Sequence, residues 1–211
     1  MKTDLVIWDC DGVLVDSEWL GAKAFMEIIN ELGGNVSVEY VYNTLKGGSI
    51  HKSVSFVHEH VDVPLEFDIE EIYRKRSDEL FERELKAING VDIILQKITG
   101  KRCIASNAPK VKIFKNLSIT DLKQYFSDED IFSAHDINAF KPMPDLFLYA
   151  AAMMGIAPEK CVVIEDSIHG AEAAKRAGMK CFGFTEATDP TEFLKQNAVP
   201  FDNMIDLLHL I

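Results

Sequence analysis

Asp9 and Asp11 stand two residues apart directly after the apolar run Leu5–Trp8, in the segment Asp9-Cys10-Asp11-Gly12-Val13-Leu14-Val15-Asp16-Ser17. An acidic pair at a strand's end can aim one carboxylate at a substrate while the other stands ready nearby, and Gly12 lets the backbone turn sharply. Taken alone, two aspartates in a loop are ordinarily a solvated turn. The pattern recurs, however. Cys161-Val162-Val163-Ile164 is a second buried-strand sequence, and it ends in Glu165-Asp166-Ser167 before a helical stretch. If the two strands are neighbours, Asp9 and Asp166 converge on a hard, oxygen-rich site that suits Mg²⁺, because carboxylates gathered this closely repel one another without a cation. The bland alternative is that Asp166 or Ser167 caps the following helix.

Two further segments offer the complementary chemistry. Cys103-Ile104-Ala105 leads into Ser106-Asn107, where a hydroxyl and exposed backbone N–H groups could hold phosphate oxygens, although by itself this is an ordinary strand-to-helix turn. Lys141, in Phe140-Lys141-Pro142-Met143-Pro144, is a cation whose flanking prolines stiffen its loop. Four weak signals in a fixed order, three of them at strand ends, are far less probable by chance than any one.

These residues need elements to position them. Short β-rich runs fall at Leu5–Trp8, Cys103–Ala105, Ile131–Ser133, Cys161–Ile164 and Cys181–Phe184, with helical stretches at Val91–Ile98, Val111–Leu117, Leu146–Met154 and Ser167–Ala177. Continuous apolar strands alternating with helices predict an α/β fold: an open, parallel, Rossmann-like sheet with helices on both faces. From Ser17 to about Leu85 the rhythm changes to helical periodicity without a convincing strand. Phe25, Ile28, Ile29 and Leu32 make one apolar face, and further helices are expected over Val38–Leu45, Ser49–His60 and Glu66–Phe81. The expected organisation is therefore a core of 1–16 and 86–211 with an all-helical cap, 17–85, inserted after the first strand. Ligands of open α/β sheets bind outside the carboxyl ends of the strands, where such an insertion would serve as a lid.

Composition narrows the function classes. A formal net charge of −12 repels a polyphosphate backbone, which argues against nucleic acid as the partner. Aspartates at 4, 9 and 11 would be costly in a membrane or signal segment, so a soluble cytoplasmic protein is expected, with no membrane and no evident obligate protein partner. Cys10, Cys103, Cys161 and Cys181 lack zinc or CxxC spacing and read as reduced, buried residues. His51, His58 and His60 fall on a helical pattern and read as surface or packed side chains.

The sequence resembles the haloacid dehalogenase-like hydrolases, whose four motifs are matched in order by DCDGVLVDS, the Ser106-Asn107 step, Lys141 in FKPMPDLF, and VIEDSIHGAEAAKRAGM. Within that family ASNAPK, the YF…IFSAHDI stretch and FKPMP are most similar to bacterial sugar phosphatases of the 6-phosphogluconate phosphatase type. The resemblance implies a Mg²⁺-dependent phosphatase acting on a small phosphorylated metabolite. Asp9 would be the nucleophile that forms an aspartyl-phosphate, and Asp11 the general acid and base. The metal would be held by Asp9, the Asp11 backbone carbonyl and Asp166, with Glu165 in support; Ser106, the Asn107 amide and Lys141 would stabilise the phosphoryl oxygens. Lys46, Gly47 and Gly48 resemble the cap loop that contacts substrate, although Lys46 reads equally as a helix-terminal lysine beside a glycine turn. A mutase of the β-phosphoglucomutase type is disfavoured by Gly21 and Ile50, where that branch carries a histidine and an arginine. A non-catalytic ligand-binding protein on the same scaffold is the remaining alternative.

Overall fold

The computed structural model describes residues 3–46, 48, 50–62, 64, 67–186 and 188–211. Gly47 and the expected helix starts at Ser49 and Glu66 lie outside the described residues. Two compact units make up the chain: Met1–Val15 with Lys86–Ile211, and Asp16–Leu85.

The first unit is built on a parallel sheet in the order β3-β2-β1-β4-β5-β6. Its strands are β1 (Leu5–Trp8), β2 (Lys101–Ser106), β3 (Ile131–Ser133), β4 (Cys161–Glu165), β5 (Lys180–Phe184) and β6 (Val199–Phe201). Every residue of β1, β3 and β4 is buried, so these strands need cover on both faces and can be apolar throughout. Leu5 and Ile7 join Cys103, Ala105 and Val163 in one cluster with Phe147, Ala150, Ala171 and Ala174. Those last four come from helices α8 (Asp145–Met153) and α9 (Ile168–Arg176). Val6 and Trp8, which alternate with Leu5 and Ile7, are equally buried on the opposite face. The remaining helices of this unit are α5 (Val91–Lys97), α6 (Lys110–Ile119), α7 (Ala134–Ile137), α10 (Pro190–Lys195) and α11 (Leu207–Leu210).

β1 is central. Trp8 aligns with Ile104 of β2 on one side and with Ile164 of β4 on the other. The chain leaves β1 for β2 in one direction and later returns to β4 in the other. The carboxyl ends of β1, β2 and β4 thus meet where the strand order reverses, the place where open α/β sheets bind ligands.

The second unit contains α1 (Ser17–Glu31), α2 (Val38–Leu45), α3 (Ile50–His60) and α4 (Ile69–Glu84), with no strand among its described residues. Its core joins Phe25, Ile28 and Ile29 to Val41, Leu45, Phe56, Val57 and Ile69. Among the described residues, no helix is long and apolar enough to cross a membrane.

Candidate active site

Asp9 directly follows β1, and its backbone N–H still donates to the carbonyl of Ile164 at 3.0 Å. The sheet register therefore holds the base of Asp9 beside the last residues of β4. The chain then turns: the Leu14 N–H donates to the Cys10 carbonyl and the Gly12 N–H to the Val15 carbonyl, both at 2.9 Å. Gly12 adopts φ +76, and a Cβ built there would lie 2.1 Å from Asp166 Oδ2. The glycine thus answers two demands, a left-handed backbone and room for a carboxylate from a different motif.

Oxygens of Asp9, Glu165 and Asp166 lie within 4.8 Å of one another, and all three residues are buried. Lys141 stands among them, with its Nζ 2.7 Å from Asp9 Oδ1 and 2.5 Å from Glu165 Oε1. Carboxylates outnumber the ammonium three to one. Burial pushes the Asp9 carboxyl up to about 7; the Lys141 charge opposes that rise and Glu165 reinforces it. Burial also disfavours the Lys141 ammonium, but the attraction of Asp9 and Glu165 outweighs it and raises the lysine above its ordinary value. Lys141 is therefore charged, and the cluster remains acidic around it.

The donor set suits a hard divalent cation: three carboxylates from two adjacent strand ends, with neither imidazole nor thiolate in the group. Cys10 is the nearest sulfur in sequence, and burial pushes its thiol well above the usual range, which keeps it protonated.

Glu165 is fixed from a second side. Its Oε2 accepts from the Ser167 N–H at 2.9 Å and from Ser167 Oγ at 2.8 Å. Ser167 Oγ in turn accepts from the Gly170 N–H at 3.0 Å, so Ser167 caps α9 while it orients Glu165. A Cβ at Gly170 would sit 1.9 Å from Glu165 Cδ. The cap reading of Ser167 holds alongside a clustered Asp166, whose backbone carbonyl accepts from Thr188 Oγ1 at 2.6 Å.

Ser106 ends β2, is buried, and accepts through Oγ from the Ala108 N–H at 3.2 Å. Asn107 uses its side-chain oxygen to accept the backbone N–H of Lys141 at 3.0 Å, tying the second motif's turn to the loop that carries the lysine. Asp11 points its carboxylate to α6, where Lys112 Nζ is 3.0 Å from Oδ2 and Asn116 Nδ2 is 3.3 Å from Oδ1. Lys46 and Gly48 belong to the helical unit. Lys46 follows α2, its Nζ 5.7 Å from the centre of the Tyr42 ring, and the Gly48 N–H donates to the Leu45 carbonyl at 2.9 Å. His60 Nδ1 lies 2.8 Å from the Phe56 carbonyl, a packed position on α3.

Sequence reasoning missed Lys112, Asn116 and Gly170. The first two stand one turn apart on a helix that opens after a motif, and Asn116 interrupts a buried face; that polar interruption was the available signal. Gly170, one turn into a helix, could have been read as a close approach.

Residues 6–184 match the family described as haloacid dehalogenase-like hydrolase. The chain is 34% identical over 184 residues to the 6-phosphogluconate phosphatase of Escherichia coli (strain K12), which covers 87% of this chain and 83% of that protein. Among solved structures, a conserved haloacid dehalogenase-like protein of unknown function from Agrobacterium tumefaciens str. C58 superposes with a TM-score of 0.88 at 36% identity, covering 99% of this chain and 97% of that one. A putative beta-phosphoglucomutase from Thermotoga maritima gives a TM-score of 0.82 at 26% identity, covering 100% and 98%.

Proposed function

The chain belongs to the haloacid dehalogenase-like hydrolases, and from that premise we propose that it is a phosphoric monoester hydrolase that cleaves a small sugar phosphate, with 6-phosphogluconate as the favoured substrate. The observation that carries the reading is Asp9: a buried carboxylate at the end of the central strand, 2.7 Å from the Lys141 ammonium and clustered with Glu165 and Asp166.

Asp9 attacks phosphorus and forms an acyl phosphate while the bond from phosphorus to the ester oxygen breaks. Asp11, protonated, gives its proton to that departing oxygen, which leaves as the sugar hydroxyl. Asp11 then takes a proton from water as the water oxygen attacks the acyl phosphate. The bond to Asp9 breaks, inorganic phosphate departs, and both aspartates return to their starting forms. Ser106, the Asn107 amide and Lys141 bind the phosphoryl oxygens, and holding them in place supplies much of the catalysis in phosphoryl transfer. Asp9, Asp166 and the Asp11 backbone carbonyl would hold Mg²⁺, with Glu165 in support. When bound, the ion neutralises charge on the phosphoryl group.

Domain 17–85 is assigned the choice of substrate, with Lys46, Gly47 and Gly48 as its contact residues and Lys46 reading the anionic end of the ligand. The second reading, a phosphosugar mutase, draws on the likeness to the putative beta-phosphoglucomutase. Gly21 weighs against it. The histidine of the mutase branch is absent there, and a Cβ at that position would lie 3.0 Å from the Tyr73 hydroxyl, which would have to give way slightly.

Phosphate release from 6-phosphogluconate and from a panel of hexose and pentose phosphates, with Mg²⁺ and with chelator, tests the proposal. The expected result is the highest kcat/KM on 6-phosphogluconate and loss of turnover in chelator. Near-zero relative activity on 6-phosphogluconate removes that substrate, and no release from any phosphate ester removes the hydrolase.

A further inference from the structure

Lys112 and Asn116 lie four residues apart on α6, hence one turn apart on one side of the helix. Their donors meet different oxygens of one carboxylate: Lys112 Nζ reaches Asp11 Oδ2 at 3.0 Å, and Asn116 Nδ2 reaches Oδ1 at 3.3 Å. Neither residue has a part in nucleophilic attack, in binding the phosphoryl oxygens or in the carboxylate cluster. Asn116 is 1% exposed, and its Oδ1 has no hydrogen-bond partner. Leaving a buried polar atom unsatisfied destabilises a fold, and a leucine of similar shape would avoid that cost. The fold thus tolerates a penalty to keep an amide facing Asp11.

We propose that Lys112 and Asn116 are positioning residues that fix the direction in which Asp11 delivers and recovers its proton. This rests on the reading of Asp11 as the general acid and base. Asp11 sits on a turn beyond the strand, where an aspartate side chain can sample several rotamers. Two donors from one rigid helix turn, one on each oxygen, select a single orientation. Proton transfer depends steeply on such alignment, so losing the clamp lowers the rate without removing the acid. The pair is not explained by stability, because a partly exposed lysine–aspartate bridge contributes little.

Leaving-group dependence separates this role from a structural one. A sugar alkoxide must be protonated as it departs, whereas p-nitrophenolate leaves without help. Because kcat/KM reports only steps up to the first irreversible one, hydrolysis of the acyl phosphate, common to both substrates, does not enter the comparison. The experiment measures kcat/KM with Mg²⁺ on the best sugar phosphate of the panel and on p-nitrophenyl phosphate, for the parent, Lys112→Met, Lys112→Arg, Asn116→Leu and Asp11→Asn, with folding followed by thermal melts. We expect Lys112→Met and Asn116→Leu to lose about tenfold on the sugar phosphate and to change little on the aryl ester, with Lys112→Arg recovering most of the loss. Should Asn116→Leu fail to fold, Lys112→Met carries the test, because its side chain is 38% exposed. Equal losses on both substrates, or no loss on either, overturn the clamp while a substrate-selective Asp11→Asn leaves the acid–base reading standing. An Asp11→Asn defect that is equal on both substrates overturns that reading and the clamp with it.

Discussion

The two units of the chain arrange their charged residues in opposite ways. In the α/β unit, Asp9, Lys141, Glu165 and Asp166 lie inside, and a side chain at Gly12 or Gly170 would collide with Asp166 or Glu165. In the helical unit the interior is apolar, with Phe25 stacked on Tyr73 at 4.1 Å, and the charges work at the surface, where Arg76 reaches Glu27 and Glu31 and Lys23 reaches Glu84. Buried charges must be matched in position and number or the structure weakens, whereas surface pairs are screened and replaceable. The first unit therefore fixes a chemistry, and the second can drift in its contacts while keeping its helices.

The contrast can be broken most directly at Asp9. Asp9→Asn should lower phosphate release by about 10⁴-fold or more while the chain remains folded by circular dichroism. Turnover within a hundredfold of the parent would mean that the buried cluster is not where the reaction occurs. Next in size is Lys141→Met, which leaves Asp9 and Glu165 facing each other without the ammonium. A loss of about 3–5 kcal/mol in denaturant unfolding is expected, with added Mg²⁺ recovering part of it. An unchanged midpoint would show that Lys141 does not balance the cluster.

Gly170→Ala forces a methyl against Glu165 and should destabilise by about 1–3 kcal/mol, with loss of activity. A neutral result would mean that Glu165 has room to move. The smallest effect belongs to the helical unit. Arg76→Ala should reduce stability by about 0.5 kcal/mol, leave kcat unchanged and matter less in high salt. The side-chain hydrogen bonds from Arg76 hold the Glu31 carboxyl below its ordinary value. A depressed acid stabilises above its unfolded range, and that contribution is lost as pH falls through the folded value. Melting curves of Arg76→Ala and parent should therefore converge in acid; a difference that grows in acid would assign Arg76 another role.

What could be read from the sequence follows the same division. The buried strands β1 and β4 announce themselves as apolar runs, and their polar ends point to the site because a parallel sheet has only one carboxyl edge. β6 did not, since Val199-Pro200-Phe201 is short and carries a proline, as an outermost strand can. α10 is a six-residue helix whose start is marked only by Asp189 and Pro190. Contacts between distant segments were the least legible. Asn107 was expected to offer its amide to a ligand, and the bond its side-chain oxygen accepts from the backbone N–H of Lys141, 34 residues on, had no local signal. The partners of Asp11 lie 101 and 105 residues further on and carry no local pattern.

One further consequence comes from the backbone of Asp9. Its amide belongs to the ladder between β1 and β4, and β1 is bonded along both sides. Such an amide opens only when the middle of the sheet opens, the slowest event available to the fold. The main chain that carries the Asp9 carboxylate therefore keeps its place for as long as the sheet stays closed, and wandering of that main chain would itself report that the sheet had parted.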